Sequence, residues 1–507
     1  MLFNSYEFIF CFLPAFLILF YATLRYCNFK TALTAIVGAS FFFYGFWNPP
    51  YLLLLILSIV LNYAGYRLIL HFNGQNNGRK AKLTAGIVIA LDLLSIGYFK
   101  YFNFLAGNLA ALLNIPFAPY SIFLPLGISF FTFQSIAFVL DALKPEKNQL
   151  KKCSLLEFAA FISFFPQLIA GPIVHAHELI PQLREKERLS FSRENMAEGF
   201  TIFFIGLAKK ILIADALSPY ANEIFNAAQA GSTITFFEAL YGMLAYSLQL
   251  YFDFSGYSDM AYGLALLIGV KLPINFNSPY KAHSLVDFWS RWHITLSRFL
   301  KDYVYIPFGG NRFGTFKRFR NLLATMLIGG IWHGAGWTFI IWGGMHGVGL
   351  IINHAWKMLC DKYQQLAKFR NSALWTVAAS VLTLIFVFLA WIVFRAENFT
   401  GVKMMFRGIC GLNGAVLPEA IVNMLPGFLR NLVSSTGTMP LLGNGSIMKF
   451  VSESILISGS LLLAIFGKNV YEMPKKMKYI IIITAFYFVL QRLLFAVEQT
   501  EFLYFQF

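Results

Sequence analysis

Apolar runs long enough to cross a lipid bilayer recur along the whole chain. A membrane-spanning helix needs about 20 mainly apolar residues. Runs of this kind occur at 6–24, 31–47, 51–70, 83–101, 120–143, 155–173, 197–213, 236–254, 338–359, 374–394, 455–466 and 479–495. Two more, 257–270 and 404–416, are short or interrupted by glycine and indicate half-helices. The pattern predicts an all-α polytopic protein with about a dozen spans, in which 1–507 forms one integral membrane domain.

The segment 282–308 departs from this pattern, because it mixes aromatic residues with charges. It carries five fixed charges: Asp287, Arg291, Arg298, Lys301 and Asp302. Ionisable side chains are costly at hydrocarbon depth, which excludes an ordinary lipid-facing span. As one helix, the segment places Trp289, His293 and Ser297 on a single face. Two interpretations remain open: an amphipathic helix at the membrane surface and a re-entrant segment lining a water-filled cavity.

A glycine-rich stretch around one histidine is the second departure. Residues 329–347 read GGIWHGAGWTFIIWGGMHG, with small residues on both sides of His333. An ionisable residue in a long apolar tract usually faces a polar cavity, which makes His333 a candidate functional residue. The alternative is a helix-packing patch in which the histidine bonds to a neighbouring helix. His346 lies thirteen residues further on and is expected on a largely different face of one straight helix.

Composition supports a membrane protein and excludes other classes. Hydrophobic residues make up 58% of the 507 residues and charged residues 13%, whereas average proteins have roughly 45–50% and about 25%. The formal charge of +16 lies in short loops between apolar runs, which indicates cytoplasmic loops and not a nucleic-acid partner. The five cysteines are scattered without a CxxC pair, so neither a disulfide framework nor a zinc site is expected.

Among the acidic residues within or beside apolar runs, four aspartates are of interest. They are Asp92, Asp141, Asp253 and Asp259. Intramembrane acids either pair with basic residues or line a substrate path. Structural pairing with lysine or arginine is the favoured interpretation.

Longer motifs give a family resemblance. FWSRWHITLSRFLKDYVYIPFGGNR (288–312) and RNLLATMLIGGIWHGAGWTFIIWGGMHG (320–347) resemble the membrane-bound O-acyltransferases, and within them the bacterial branch that acetylates cell-envelope polysaccharides. The opening MLFNSYEFIFCFLP, LIAGPIVHAHELIPQL (168–183) and YFDFSGYSDMAYGLALLIG (251–269) resemble that branch too. The resemblance covers essentially the whole chain. It implies a ring of transmembrane helices, with re-entrant segments, around a narrow tunnel.

The same resemblance implies site residues. The active-site histidine of the family corresponds to His333 in its WHG setting, and a second family histidine corresponds to His293 in RWH. Residues 282–347 are therefore the expected active-site core. Four bulky neighbours of the two histidines are candidates for the tunnel lining: Trp289, Trp292, Trp332 and Trp337.

Histidine suits the chemistry of acyl transfer. Its unperturbed pKa of about 6.5 lies near working pH, so His333 is the predicted general base for the attacking hydroxyl. His293 is expected to polarise the acyl carbonyl or to act from the opposite side of the passage. A thioester is already activated, and the histidines lack a spacing such as HExxH, so neither a metal nor a bound cofactor is expected. His175 and His177 lie in a predicted loop and are expected to be structural or solvated.

These features predict an enzyme that moves an acetyl group from a cytoplasmic donor towards an extracytoplasmic polysaccharide. The donor is expected to be acetyl-CoA or a carrier thioester, and the acceptor an alginate-like exopolysaccharide or peptidoglycan. By resemblance, the protein lies in the bacterial inner membrane and works with an extracytoplasmic SGNH-type acetyltransferase. One alternative is a D-alanyl transferase for teichoic acid. Another is a transporter or channel without chemistry, since broken helices and buried acids also occur in carriers.

The aromatic tail at 498–507 needs its own explanation. The lysines of 468–478 are expected on the cytoplasmic side, so the next helix leads the tail to the outer face. The tail is interpreted either as an aromatic belt at the membrane interface or as an acyl carrier. Residues 502–507 resemble a C-terminal motif of envelope acyltransferase membrane components whose tyrosine is proposed to carry the acyl group, which makes Tyr504 the candidate acceptor.

Overall fold

A computed structural model describes residues 1–144, 153–436, 447–495 and 501–503. Within these residues the chain is predominantly helical, as the sequence predicts. Its first part forms α1 (Leu13–Tyr26), α2 (Phe29–Gly45), α3 (Pro49–Gly74), α4 (Gly78–Ile96), α5 (Phe102–Leu112), α6 (Ile128–Ala142), α7 (Leu155–Ser163), α8 (Phe165–Leu168), α9 (Ala176–Arg184), α10 (Lys186–Leu189) and α11 (Arg193–Ala208).

The rest of the described chain continues in the same way. It forms α12 (Asp215–Gln229), α13 (Phe236–Leu267), α14 (Leu285–Arg291), α15 (Ile294–Leu300), α16 (Thr315–His333), α17 (Trp337–Lys362), α18 (Gln364–Arg370), α19 (Ala373–Arg395), α20 (Phe399–Ile409), α21 (Glu419–Met424), α22 (Gly427–Arg430), α23 (Ile447–Phe466) and α24 (Lys475–Phe495). One short parallel pair of strands interrupts it, β1 (Val416–Pro418) and β2 (Ser434–Thr436), with Val416 opposite Ser434.

Short stretches of other helix types extend several of these helices. Four are π-helical, at Glu7–Phe12, Gly97–Tyr101, Lys209–Ala214 and Lys301–Tyr305, and Pro279–Lys281 is a 3₁₀ turn. A π-helical turn widens the backbone within a helix and often occurs at functional sites. Lys301–Tyr305 continues α15, so one of these turns lies inside the predicted active-site core.

Six of the described helical stretches are long and apolar enough to cross a membrane. They are Glu7–Tyr26, Pro49–Gly74, Gly78–Leu112, Ala373–Arg395, Ile447–Phe466 and Lys475–Phe495. The sequence predicts about a dozen spans, but several predicted runs form shorter helices. The run at 120–143 gives only the 15 residues of α6, and the run at 155–173 breaks at Phe164 between α7 and α8. The protein remains a multi-pass membrane protein.

The prediction of a half-helix at 257–270 is wrong, because α13 is continuous over 32 residues. Its glycines allow close contact with α11 and do not end the helix. A Cβ at Gly206 of α11 would lie 2.6 Å from the Gly256 carbonyl oxygen, and one at Gly263 would lie 2.6 Å from that of Gly199. Small residues let two membrane helices approach this closely.

The segment 282–308, for which the sequence leaves two interpretations open, is not one continuous helix. The chain forms α14 and then α15, and the break falls at His293, whose φ of 44° lies in the left-handed region. Ser297 is therefore not on a common helical face with Trp289. The broken segment has the irregular backbone that the re-entrant interpretation requires.

The described helices group into two compact units. The first comprises Met1–Leu207, Gly256–Asn275 and Pro474–Phe507, and the second comprises Ala208–Ser255 and Phe276–Met473. Helix α13 contributes residues to both. All of the predicted active-site core falls in the second unit.

Phenylalanine rings form the core of the first unit. Phe8 and Phe12, from the first helix and its π-helical turn, contact Phe43 of α2 and Phe165 of α8, with ring centroids 5.3 to 6.2 Å apart. All four side chains are buried. Aromatic pairs at this spacing contribute more than their buried area alone.

A buried lysine pairs with Asp253, which confirms the structural interpretation for that residue. The Lys210 ammonium lies 2.7 Å from Asp253 and 2.8 Å from Asp215, and both Lys210 and Asp253 are almost fully buried. Elsewhere, Asp92 accepts a hydrogen bond from the Asn62 amide at 3.0 Å. A buried ion pair costs desolvation energy, so losing one partner is more damaging than the pair is stabilising.

We therefore expect Lys210→Met to destabilise the second unit strongly. It leaves two aspartates without their common cation, one of them buried, which costs about 3–5 kcal/mol. Thermal unfolding in detergent measures this loss. Lys403→Met, at an exposed lysine of α20, is the control and should unfold like the wild type. Equal unfolding temperatures for the two variants would contradict a structural role for Lys210.

Candidate active site

His333 is the last residue of α16, and glycine residues cause the break. Gly334 and Gly336 have extended backbones, and α17 begins at Trp337. A Cβ at Gly334 would overlap the ring of Phe339, so a larger residue does not fit there. The His333 side chain is buried, with 5% of its surface exposed. A helix end within the apolar core thus presents the imidazole.

Helices α16 and α17 form a hairpin held by glycine contacts. A Cβ at Gly330 would overlap the carbonyl oxygen of Phe339 and lie 3.1 Å from the Cα of Gly343. A Cβ at Gly343 would overlap the carbonyl oxygen of Met326, and one at Gly347 would lie 2.8 Å from Leu323. The two backbones are therefore in direct contact over three turns of α17, as in other small-residue helix pairs.

Aromatic rings surround His333. Trp342 lies 5.1 Å from the imidazole and Phe394 lies 5.2 Å away, both nearly perpendicular to it. Trp332 precedes it, with ring centroids 4.9 Å apart. These rings exclude water from the His333 imidazole, which strengthens any electrostatic interaction made inside the cluster.

His293 reaches the same cluster from α14 and α15. Its side chain is fully buried. The ring lies 4.8 Å from Phe254, 6.3 Å from Phe276 and 6.0 Å from Trp332. Trp332 thus contacts both predicted catalytic histidines. The left-handed backbone at His293 is uncommon for a residue other than glycine, and such conformations are often found at functional sites.

Local contacts pair two of the five charges that mark this segment in the sequence. Ser284 caps α14 by accepting a hydrogen bond from the Asp287 amide, and the Asp287 carboxylate binds the Arg291 guanidinium at 2.7 Å. Arg291 also donates to the Asn277 carbonyl, while the Asn277 amide donates to the Arg291 carbonyl at 2.9 Å. These bonds fix the turn that delivers His293.

Two of the predicted lining tryptophans join the cluster through other partners. The Trp289 indole N–H donates to Nδ1 of His346 at 3.2 Å. Trp292 packs on Trp391 at 4.9 Å and on Phe276 at 5.0 Å. Both therefore lie in the aromatic network around the histidines.

Two predicted residues remain to be located, and only one of them lies among the described residues. Trp337 begins α17 with 51% of its surface exposed. Tyr504 lies outside the described residues, although two residues just before it are described. Phe502 and Leu503 are buried, and Phe502 contacts Tyr257 within the first unit, with ring centroids 4.9 Å apart.

The structure adds His346, which the sequence pattern places on a different face. His346 is fully buried and lies 4.8 Å from Trp342, the ring that also contacts His333. Because Nδ1 accepts the Trp289 hydrogen bond, the ring proton of His346 is on Nε2. This Nε2 is buried and has no hydrogen-bond partner among the described residues. The sequence contains one signal for this placement, because a tryptophan again lies four residues before a histidine, at 342 and 346.

These features define a class of protein. It is a multi-pass membrane protein whose glycine-packed hairpin and broken helix bring two histidines to one buried tryptophan. The chain belongs to the membrane-bound O-acyltransferase family, whose model matches residues 80–394. It is therefore an acyltransferase, as the sequence motifs predict.

Individual relatives narrow the comparison. A peptidoglycan O-acetyltransferase of Helicobacter pylori (strain ATCC 700392 / 26695) is 42% identical over 442 residues, covering 82% of this chain and 81% of that protein. The probable alginate O-acetylase AlgI of Azotobacter vinelandii is 42% identical, with coverage of 78% and 76%. A teichoic acid D-alanyltransferase of Bacillus subtilis (strain 168) is more distant, at 32% identity over 55% of this chain and 71% of that protein. The O-acetyltransferases are thus the more similar relatives.

Neighbouring glycines test the hairpin. Gly343→Ala adds a methyl group that overlaps the backbone of α16, whereas at Gly344 the added group would meet only Leu327, at an ordinary 3.7 Å. Overpacking of this kind costs about 1–3 kcal/mol. We expect Gly343→Ala to lower both acyl transfer and the unfolding temperature, with Gly344→Ala close to wild type. Equal behaviour of the two variants would contradict a positioning role for this contact.

Proposed function

We propose that this protein transfers an acetyl group from a cytoplasmic thioester to an acceptor hydroxyl, with His333 as general base. The observation that carries the proposal is the burial of His333 at the break of the α16–α17 hairpin, among Trp332, Trp342 and Phe394. An imidazole in a dry pocket is suited to take a proton from a hydroxyl.

In the proposed reaction, the acyl carbon exchanges its bond to sulfur for a bond to the acceptor oxygen in one transfer. The acceptor hydroxyl loses its proton to His333 as its oxygen attacks the carbonyl carbon of the thioester. The carbon–sulfur bond then breaks, and the departing thiolate takes the proton back from the imidazolium. We propose that His293, whose ring also contacts Trp332, donates a hydrogen bond to the carbonyl oxygen as negative charge develops there. Acetyl-CoA and a carrier thioester are both chemically suitable donors.

The proposed acceptor is an extracytoplasmic cell-envelope polysaccharide, of the alginate-like or peptidoglycan kind. Relatives named for peptidoglycan O-acetylation and alginate O-acetylation support this acceptor class. We further propose that the protein lies in the bacterial inner membrane, that its helices enclose a narrow passage, and that an SGNH-type acetyltransferase on the outer side completes the transfer. Trp289 and Trp292 would line the passage on the side of α14.

His333→Gln tests the base. Glutamine keeps a similar size and polarity but cannot accept the proton, so we expect acetyl transfer to fall by roughly 10²–10⁴-fold. The purified protein is supplied with labelled acetyl-CoA or an acetylated carrier, and the label is followed into the polymer. Unfolding temperatures of wild type and variant should agree, which separates loss of chemistry from loss of fold.

His354→Gln provides a matched control. This histidine lies on the same hairpin, on α17, but binds Arg318 instead of the buried cluster, with Nδ1 2.6 Å from the guanidinium. We expect nearly normal transfer. Wild-type transfer by His333→Gln would refute the base assignment. Transfer of D-alanine in preference to acetate would support the D-alanyl transferase alternative, and solute flux without transfer would support a transporter.

Tyr504 is proposed as the first acceptor of the acetyl group. A phenol has a pKa of about 10, so its ester keeps much of the transfer potential of a thioester and can pass the group on. The burial of Phe502 against Tyr257 supports a tail held by the protein. This contact differs from that of an aromatic belt that meets only lipid.

Tyr504→Phe tests the carrier, because it keeps the ring and deletes the nucleophile. We expect it to abolish polymer acetylation as fully as His333→Gln. Mass spectrometry of wild type given acetyl donor without polymer should find one acetyl group on the C-terminal peptide. Normal polymer acetylation by Tyr504→Phe would leave the tail as an anchor only. Phe505→Leu is the control, since it alters the same tail without removing a hydroxyl.

A further inference from the structure

A cluster of three metal-ligating side chains lies outside the active site, in the first unit. Asp141 is in the last turn of α6, His175 immediately precedes α9, and His177 is in the first turn of α9. One ligand atom from each lies within 4.8 Å of the other two. We propose that these three residues bind a divalent transition-metal ion of the zinc class, a property separate from the acyl-transfer reaction.

The distances suit such an ion. Zinc binds imidazole nitrogen and carboxylate oxygen at about 2.0–2.2 Å, so ligand atoms around a tetrahedral ion lie roughly 3.3 Å apart. Small side-chain rotations close the observed spacing to that value. Two imidazoles and one carboxylate favour zinc and similar ions over magnesium or calcium, which prefer oxygen alone. A water molecule would take the fourth position.

Two of the three proposed ligands are buried. Asp141 and His175 are buried, with 1% and 3% of their surfaces exposed, whereas His177 is exposed. A carboxylate removed from water needs a positive partner. Lys144 supplies one at 3.4 Å, but its side chain is 54% exposed and this distance is long for an ion pair. A divalent ion entering beside His177 would neutralise Asp141 at closer range.

The surrounding chain holds the ligands in place. The His175 amide donates to the Glu178 carboxylate at 3.0 Å, which fixes the start of α9. At the far end of α9, Arg184 binds Glu157 of α7 at 2.6 Å. Residues 164–174, which lead to His175, are all buried. The ion would therefore connect the end of α6 to a rigid α9, and its expected effect is to stabilise the first unit.

The sequence pattern predicts no metal site here, because His-x-His alone is not a metal signature. The carboxylate lies more than thirty residues before the histidines, and the fold brings it to them. The resulting set of two histidines and one carboxylate leaves at least one position open for solvent.

Binding of Zn²⁺ itself is the test. The full-length protein, purified in detergent with an affinity tag free of histidine, is stripped with a chelator and titrated with Zn²⁺ by calorimetry. Co²⁺ provides a second readout, through the visible absorption of a tetrahedral site. We expect one ion per chain. His177→Gln and Asp141→Asn should weaken binding by about 100-fold or more, since even an outer-shell partner contributes about 10–100-fold.

Two further variants make the result specific. His71→Gln removes another exposed histidine of the first unit and should leave Zn²⁺ binding unchanged. Lys144→Gln removes the competing cation and should tighten binding, whereas a simple Asp141–Lys144 ion pair predicts only lost stability. Zn²⁺ should also raise the unfolding temperature of wild type and His71→Gln but not of Asp141→Asn.

The proposal is overturned if wild type shows no saturable site, or if His177→Gln binds Zn²⁺ as wild type does. It is also overturned if His71→Gln loses binding equally, or if Lys144→Gln weakens it. None of these outcomes depends on acyl transfer, so the metal site and the proposed function fail or succeed separately.

Discussion

The direct backbone contact between α16 and α17 is the constraint on which the arrangement of residues around His333 depends. Gly330 and Gly343 leave no room for a side chain between the helices, so the position of His333 is set by main-chain atoms. Main chain in a packed helix pair is stiffer than any side-chain contact, because rotamer changes cannot relieve it. The same contact brings the Trp342 ring against the imidazole of His333, and His346 lies one turn further along α17. One interhelical distance therefore sets the arrangement of several rings.

The sequence was sufficient for the helical architecture, because long apolar runs are local signals, and its dense motifs single out His333 and His293 as candidates. It was not sufficient for His346. The expectation of a different face assumed one straight helix through 329–347, but α16 ends at His333 and a second helix carries His346 back to the cluster. The break within 282–308 could not be predicted either, because the left-handed turn at His293 depends on bonds between Arg291 and Asn277, which no periodicity reveals.

Glycine shows most clearly why the remaining features could not be predicted. Gly334 lies at the end of a helix, whereas Gly256 lies within the uninterrupted α13. Both look like helix breakers locally. The difference lies in what packs against them, since the carbonyl oxygen of Gly256 faces Gly206 of another helix while Gly334 faces a phenylalanine ring. Acidic residues have the same ambiguity, because Asp253 becomes structural only through the lysine that the fold places beside it.

Contact of Trp332 with both histidines has a consequence for redesigning this enzyme. A smaller residue at Trp332, introduced to admit a longer acyl chain, would loosen both imidazoles together. The glycine-packed hairpin cannot shift to compensate, because its two backbones are already in contact. Helix α19 contacts His333 through Phe394 and carries neither histidine. A smaller side chain at Phe394 would loosen the packing around the His333 ring without altering the backbone that holds either histidine. On the proposed function, the length of the acyl chain is therefore easier to change from α19 than from the motif that identifies the family.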